Sequence, residues 1–260
     1  WALRQSPRLH AIFAALYGTS ALYVTADRAH FRPPVDAAYP AWSDPGDVHS
    51  GLHWDVNTSR AAWPVPYALQ GLVYLEDTPP EQGALRLVPG FHHRLGAWDA
   101  AQPANRSGER LEVEAAAALD SAAVAVGGAA GSLVVWHSLL PHGPAPNVGS
   151  RPRVSAYVSM LPINASRFVA AGADDAPLGM ADAGTVRYWD DARLKRQSRA
   201  RRVERWRHRL PLLEEDPKEH ELPHRPQGEE EGLPADLTPL GQRLVGLREW
   251  EPVGDECASV

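Results

Sequence analysis

Apolar and polar positions change rhythm along this chain. Over residues 6–17, Leu9, Ile12, Phe13, Leu16 and Tyr17 recur at helical spacing and predict one apolar stripe. Ser6 is placed to cap that helix, Pro7 suits its first turn and Gly18 suits its end. Such a stripe predicts a helix packed on the outside of a sheet. From Ala21 the rhythm becomes that of strands. Ala21 to Thr25 is β-rich, and residues 67–77 alternate until Pro79 and Pro80. Leu85 to Val88 stops at Pro89 and Gly90. Residues 132–136 and 153–161 are rich in Val, Leu, Ser and Tyr. Gly127, Gly128 and Gly131 mark the turn before residue 132, and the Ala-rich stretch 111–126 fits neither period. Many short strands punctuated by Gly and Pro predict a mainly β sandwich or closed barrel. The mouth of such a barrel can hold one small ligand.

The C-terminal third differs. Residues 189–210 read as a helix opened by Asp190 and Asp191, with nine basic side chains and one acidic one between Arg193 and Arg209. One reading is a patch for an acidic partner. The favoured one is a solvated helix that docks through Val203, Trp206 and Leu210. Residues 214–231 hold eight acidic and two basic side chains, the composition of a linker or of a partner for the basic helix. Residues 237–250 regain apolar spacing and predict a short docked helix. The pattern divides the chain into a β domain, 1–188, and a helical, charged extension, 189–260, with a linker around 214–234.

Composition adds bounds. The 260 residues are 44% hydrophobic, enough for a substantial core. A net charge of −6 gives no reason to expect nucleic acid as a partner. The single cysteine, Cys257, permits no internal disulfide and favours a cytoplasmic or other reducing compartment. There is no apolar run of about 18 residues, so no membrane span is expected. The first residue is Trp1 rather than methionine, as in a fragment or processed form. The number of subunits is not readable.

The chemistry sits in two distant segments. HSGLHWDVN carries His53 and Asp55, and VVWHSLLPHGPAPNVGSRPRVSAYV carries His142. On a strand, residues two apart share a face, so His53 and Asp55 can chelate one ion while Trp54 points away. A third ligand must come from another element that folds back, and His142 or His137 could supply it. Two imidazoles and one carboxylate suit a facial non-haem Fe(II) site with positions left open. Arg153 and Ser155 form a second same-face pair, able to grip one carboxylate through the planar guanidinium fork. A dicarboxylate co-substrate beside the metal is the natural partner. His49 and Arg151 read as loop and solvated residues. His92 reads as closing a strand by hydrogen bonding, and Trp54 and Trp63 read as packing.

Three blocks also resemble a known family: HWD, then LVYLEDTPPEQGALRLVPGFHH, then HGPAPNVGSRPRVSAYV. In this order they resemble the phytanoyl-CoA dioxygenase family over about residues 18–162. The resemblance implies a double-stranded β-helix (a jelly-roll or cupin-like barrel) with flanking helices. It implies an Fe(II)- and 2-oxoglutarate-dependent oxygenase. His53, Asp55 and His142 match the iron ligands, with His142 preferred over His137 through its spacing to Asn147 and Arg153. Arg153 matches the arginine on the distal carboxylate of 2-oxoglutarate, with Ser155 beside it and Gln70 on the strand lining the pocket. Pro144 stands where members often carry serine, and no lysine precedes Lys195, a residue type some members place on the co-substrate. Asp55 is intact, which argues against halogenation. The implied reaction is O2-dependent hydroxylation of an unactivated C–H bond in a small organic or acyl substrate, with release of succinate and CO2. The alternatives are an inactive binding or regulatory module and a cupin-type metalloenzyme without 2-oxoglutarate. Substrate choice is expected in loops around 31–50, 57–66 and 94–110.

Overall fold

The period-two runs form strands, and their pairing passes the chain back and forth between two antiparallel sheets. The computed structural model describes residues 1–25, 28–35, 51–59, 68–108, 118–163, 199–200, 202–203 and 236–250. In chain order the elements are α1 (Pro7–Tyr17), β1 (Leu22–Val24), β2 (Ala29–Arg32), β3 (Leu69–Tyr74), β4 (Leu85–Leu87), α2 (Leu95–Ala100), β5 (Val124–Val126), β6 (Leu133–His137), β7 (His142–Pro144), β8 (Arg153–Tyr157), β9 (Met160–Pro162) and α3 (Pro239–Val245). A 3-10 turn, Phe91–His93, precedes α2.

The larger of two compact units comprises residues 27–159 and 165–190. One sheet has the order β2-β8-β3-β6 and the other β5-β4-β7. His53 adds a single antiparallel bridge to the free side of β7, through His142. Followed along the chain, β2 lies in the first sheet, His53 at the edge of the second and β3 in the first. Then β4 and β5 lie in the second, β6 in the first, β7 in the second and β8 in the first. This alternation is the winding of a double-stranded β-helix.

Register decides which side chains look inward. Gln70 opposes Trp136 and Leu72 opposes Val134 across β3 and β6. Leu72 opposes Tyr157 and Tyr74 opposes Ser155 across β3 and β8, and directly opposed residues share a face. The Tyr74 hydroxyl donates to Val126 O (2.7 Å) and accepts from Leu85 N (2.9 Å), both on the other sheet. This face is therefore the barrel interior. Leu72, Tyr74 and Leu85 are buried on it, and Val88, Phe91 and Leu95 are buried elsewhere in the core; fully burying such an apolar side chain contributes roughly 1.5–3 kcal/mol.

The smaller unit comprises residues 1–26, 160–164 and 191–260. Its helix α1 buries Leu9, Phe13 and Tyr17 and ends at Gly18 in the left-handed region, φ 65°. Pro7 opens it as expected, but the Ser6 side chain makes no capping hydrogen bond. The predicted strand 153–161 is two strands. Val158 and Ser159 interrupt it, and β9 pairs with β1. Helix α3 falls inside the predicted span 237–250 and is capped by Thr238, whose hydroxyl accepts from Gly241 N (3.1 Å). Of the basic stretch 189–210, residues 199–200 and 202–203 are described, and all four are helical. Arg202 there is buried and donates to Val24 O and Leu244 O, which is a structural duty. The remainder of that stretch, the acidic run 214–231, His49 and Trp63 lie outside the described residues.

Candidate metal centre

A backbone bridge sets the site. His53 N donates to His142 O (2.9 Å) and His142 N donates to His53 O (3.0 Å), so the two residues stand directly opposite each other. The bridge needs a glycine beside it. A Cβ at Gly143 would lie 2.5 Å from Gly51 O and 3.2 Å from its carbonyl carbon. Only hydrogen at that position lets the His53 segment lie so close to β7.

Each imidazole is then turned the same way. His53 Nδ1 lies 3.0 Å from Gly51 O and His142 Nδ1 lies 2.9 Å from Leu140 O. A carbonyl can only accept, so each Nδ1 carries a proton; each Nε2 faces the cluster, donating to Asp55 when protonated and offering its lone pair to a cation once that proton is lost. Both Nε2 atoms converge on Asp55, at 3.5 Å from Oδ1 for His53 and 3.2 Å from Oδ2 for His142. Ligand atoms of His53, Asp55 and His142 all lie within 4.8 Å of one another. The donor set fits a facial iron site, and the backbone carbonyls behind the rings supply the orientation such ligands require.

Charge agrees with geometry. Burial alone would raise the Asp55 carboxyl, but hydrogen bonds and charge from His142 and His53 outweigh it. They hold the group far below the usual carboxylate range. Burial would lower His53, yet the Asp55 hydrogen bond and charge, with the Gly51 carbonyl, raise it. A bound cation competes with that proton for the same lone pair. His142 is buried, His53 is partly covered and the Asp55 side chain is half exposed, which leaves one side of the cluster open.

Trp54 points away from the two residues it separates. It is 1% exposed, its Nε1 donates to Leu139 O (2.9 Å), and its ring meets Phe91 and Trp98 at 6.0 and 5.6 Å. The Arg106 guanidinium covers both indoles and is paired with Asp99 at 2.5 Å, both side chains 4% exposed. Arg106 also donates to Thr58 O (2.6 Å), tying the segment after Asp55 into the same cluster.

The other candidates fall elsewhere. His137 does not join the cluster. Its Nδ1 accepts from Leu139 N (3.0 Å) and its ring stacks on His92 at 5.0 Å. Burial, with His92 and His93 nearby, lowers it to about 3. His92 sits in the 3-10 turn and closes no strand. Among the described residues its Nδ1 is buried without a hydrogen-bond partner. Gln70 lies on the interior face of β3 as expected, but its amide donates to Asp55 Oδ2, so it steadies the carboxylate of the cluster. Arg151 is exposed.

Arg153 and Ser155 share the interior face of β8 and both are 0% exposed. Arg153 Nη1 donates to Gly83 O (2.9 Å) and Nη2 donates to His30 Nδ1. Among the described residues no carboxylate lies within ion-pair distance of it, and Arg153 Nε and Ser155 Oγ have no hydrogen-bond partner. Single-strand reasoning does not find His30, Tyr74, Tyr157 or Gly143, because each acts through a neighbour on another strand.

The sequence profile described as Phytanoyl-CoA dioxygenase (PhyH) matches residues 24–155, just over half of the chain. A Dictyostelium discoideum protein described as "Putative phytanoyl-CoA dioxygenase" is 23% identical over 194 residues, covering 64% of this chain and 55% of that protein. The chain thus spans about half the length of the curated relative it matches. Among solved structures, the epimerase SnoN in complex with Fe3+, alpha ketoglutarate and nogalamycin RO is 19% identical. Its TM-score is 0.42, with 62% of this chain and 58% of that one covered. EctD from S. alaskensis with 2-oxoglutarate and 5-hydroxyectoine is 20% identical, with a TM-score of 0.40 and coverage of 62% and 51%. Since the profile spans the H-x-D segment, His142 and Arg153 together, the chain belongs to the phytanoyl-CoA dioxygenase family.

Proposed function

We propose that the protein is an Fe(II)- and 2-oxoglutarate-dependent dioxygenase. It hydroxylates an unactivated C–H bond of a small organic or acyl substrate and releases succinate and CO2. The observation that carries this reading is the meeting of two oriented Nε2 atoms and the Asp55 carboxylate, with a buried arginine on the same barrel interior that has no carboxylate partner among the described residues.

When bound, iron and 2-oxoglutarate supply the activation of O2 that the protein's own side chains cannot. His53, Asp55 and His142 would hold the metal, and the exposed side of Asp55 would leave room for a co-substrate. Gln70 fixes Asp55, and the carbonyls of Gly51 and Leu140 fix the two rings. Arg153 and Ser155 take the distal carboxylate of the co-substrate, and Leu72, Tyr74 and Trp136 wall the interior against water. The carboxylate of Asp55 would serve as the third protein ligand, which supports hydroxylation rather than halogenation.

The test is succinate release from 2-oxoglutarate by the iron-loaded protein, measured with and without O2 across a panel of small organic and acyl acids. Release that requires Fe(II) and O2 and disappears in His142→Ala supports the reading. A wild-type protein that binds iron yet yields no succinate under any condition refutes it and favours a binding module.

A further inference from the structure

A buried guanidinium is costly unless its donors are met and its charge is balanced. Arg153 meets the first condition in part and the second with no carboxylate among the described residues. Nη1 is committed to the Gly83 carbonyl and Nη2 to His30 Nδ1, and the Tyr157 side chain also hydrogen-bonds the guanidinium. Those two acceptors lie on different elements, so together they fix the plane of the fork. Nε is left over, and so is the hydroxyl of Ser155.

Register explains why His30 is there. Across β2 and β8, His30 pairs with Ser155 and Arg32 with Arg153; across β8 and β3, Ser155 pairs with Tyr74. His30, Ser155 and Tyr74 therefore form one row over three strands, on the interior face. The His30 ring stands edge-on to Tyr157 at 6.2 Å and 81°. Arg153 is a donor only, so its bond to Nδ1 requires that nitrogen to be unprotonated. Burial, Arg153, Arg32 and Arg28 all disfavour a charge on the ring. An uncharged acceptor at this position orients the guanidinium without neutralising it, which leaves the positive charge for a ligand.

We propose that His30 is a positioning residue for the co-substrate. By accepting from Arg153 Nη2 it aims the guanidinium, so that the remaining donors of Arg153 and the Ser155 hydroxyl grip the distal carboxylate of a dicarboxylic 2-oxo acid. This rests on the proposed dioxygenase function and deepens it, since it locates selection for a second carboxylate at the β2–β8 pair.

The experiment is anaerobic calorimetric titration of the Fe(II)-loaded protein with 2-oxoglutarate and, separately, with 2-oxobutyrate, which lacks the distal carboxylate. Wild type, His30→Ala and His30→Asn are compared, because Asn keeps an acceptor where Nδ1 stands. The expected result is a 2-oxoglutarate Kd raised about tenfold or more in His30→Ala, the scale of one hydrogen bond to a charged group. It returns to within about threefold of wild type in His30→Asn, and 2-oxobutyrate binding is the same in all three proteins. Unchanged 2-oxoglutarate binding in His30→Ala overturns the proposal, and so does an equal loss for both acids. Failure of iron-loaded wild type to bind 2-oxoglutarate at all would instead overturn the dioxygenase reading, and the role of His30 with it.

Discussion

His53 and His142 exchange both backbone hydrogen bonds, at 2.9 and 3.0 Å, so two proposed metal ligands far apart in sequence are joined by main chain before any ion arrives. The rings inherit that placement, and each is turned by a carbonyl two residues upstream. Preorganisation of this kind lets a barrel present an open three-ligand face without a fourth protein group.

Gly143 is the steric condition for that bridge, with room for hydrogen alone against Gly51 O. Gly143→Ala should push the His53 segment off β7 and weaken Fe(II) affinity by about 10- to 100-fold, the scale seen when groups supporting metal ligands are lost. Competition with a metal indicator measures it. An affinity equal to wild type would show that the bridge does not hold the ligands.

Arg153→Lys keeps the charge and loses the fork. The Kd for 2-oxoglutarate should rise about 10- to 100-fold while Fe(II) affinity stays within about twofold. Parallel titrations of metal and co-substrate give the split. Equal loss of both would mean that Arg153 supports the fold rather than the ligand.

The Asp99–Arg106 pair is buried on both sides and braces Trp54. Asp99→Ala leaves a guanidinium in the core and should cost about 3–5 kcal/mol, lowering Tm by roughly 10 °C. The exposed Arg199–Glu249 pair is the control, and Glu249→Ala should cost less than about 1 kcal/mol. Thermal unfolding of both variants decides it. Equal effects would refute the weight given to burial.

Stability should fall in acid through His137 and His30. Both titrate near about 6.5 when unfolded. In the fold His137 is lowered to about 3 and His30 to about 4, in each case chiefly by burial. Between those values the unfolded chain binds more protons, so stability is present above about pH 6.5 and drains away as pH falls toward about 3. His137→Asn, which retains an acceptor for Leu139 N, should flatten that slope in urea unfolding measured from pH 7 to 4. A slope identical to wild type would contradict the assignment.

Much of this was legible in the sequence, for identifiable reasons. The stripe of α1 and the alternation of β3 are local signals, and both elements formed where expected. The spacing of His142, Asn147 and Arg153 pointed past His137, and His137 does turn its ring toward His92 instead. What stayed hidden depends on register. Nothing near His30 marks it, because its meaning comes from lying opposite Ser155. Gln70 could be placed on a strand, but not aimed at Asp55. Nor does periodicity reveal that His53 forms one bridge rather than a strand, since a single pair of hydrogen bonds leaves no repeat.

The central claim is that one metal and one 2-oxo acid meet at His53, Asp55 and His142. Visible absorption of the anaerobic protein with Fe(II), before and after 2-oxoglutarate, tests it most directly. A weak visible charge-transfer band, as expected when a 2-oxo acid chelates a facial iron site, should appear in wild type and be absent in His142→Ala. Wild-type protein with iron confirmed bound but no such band would contradict the account.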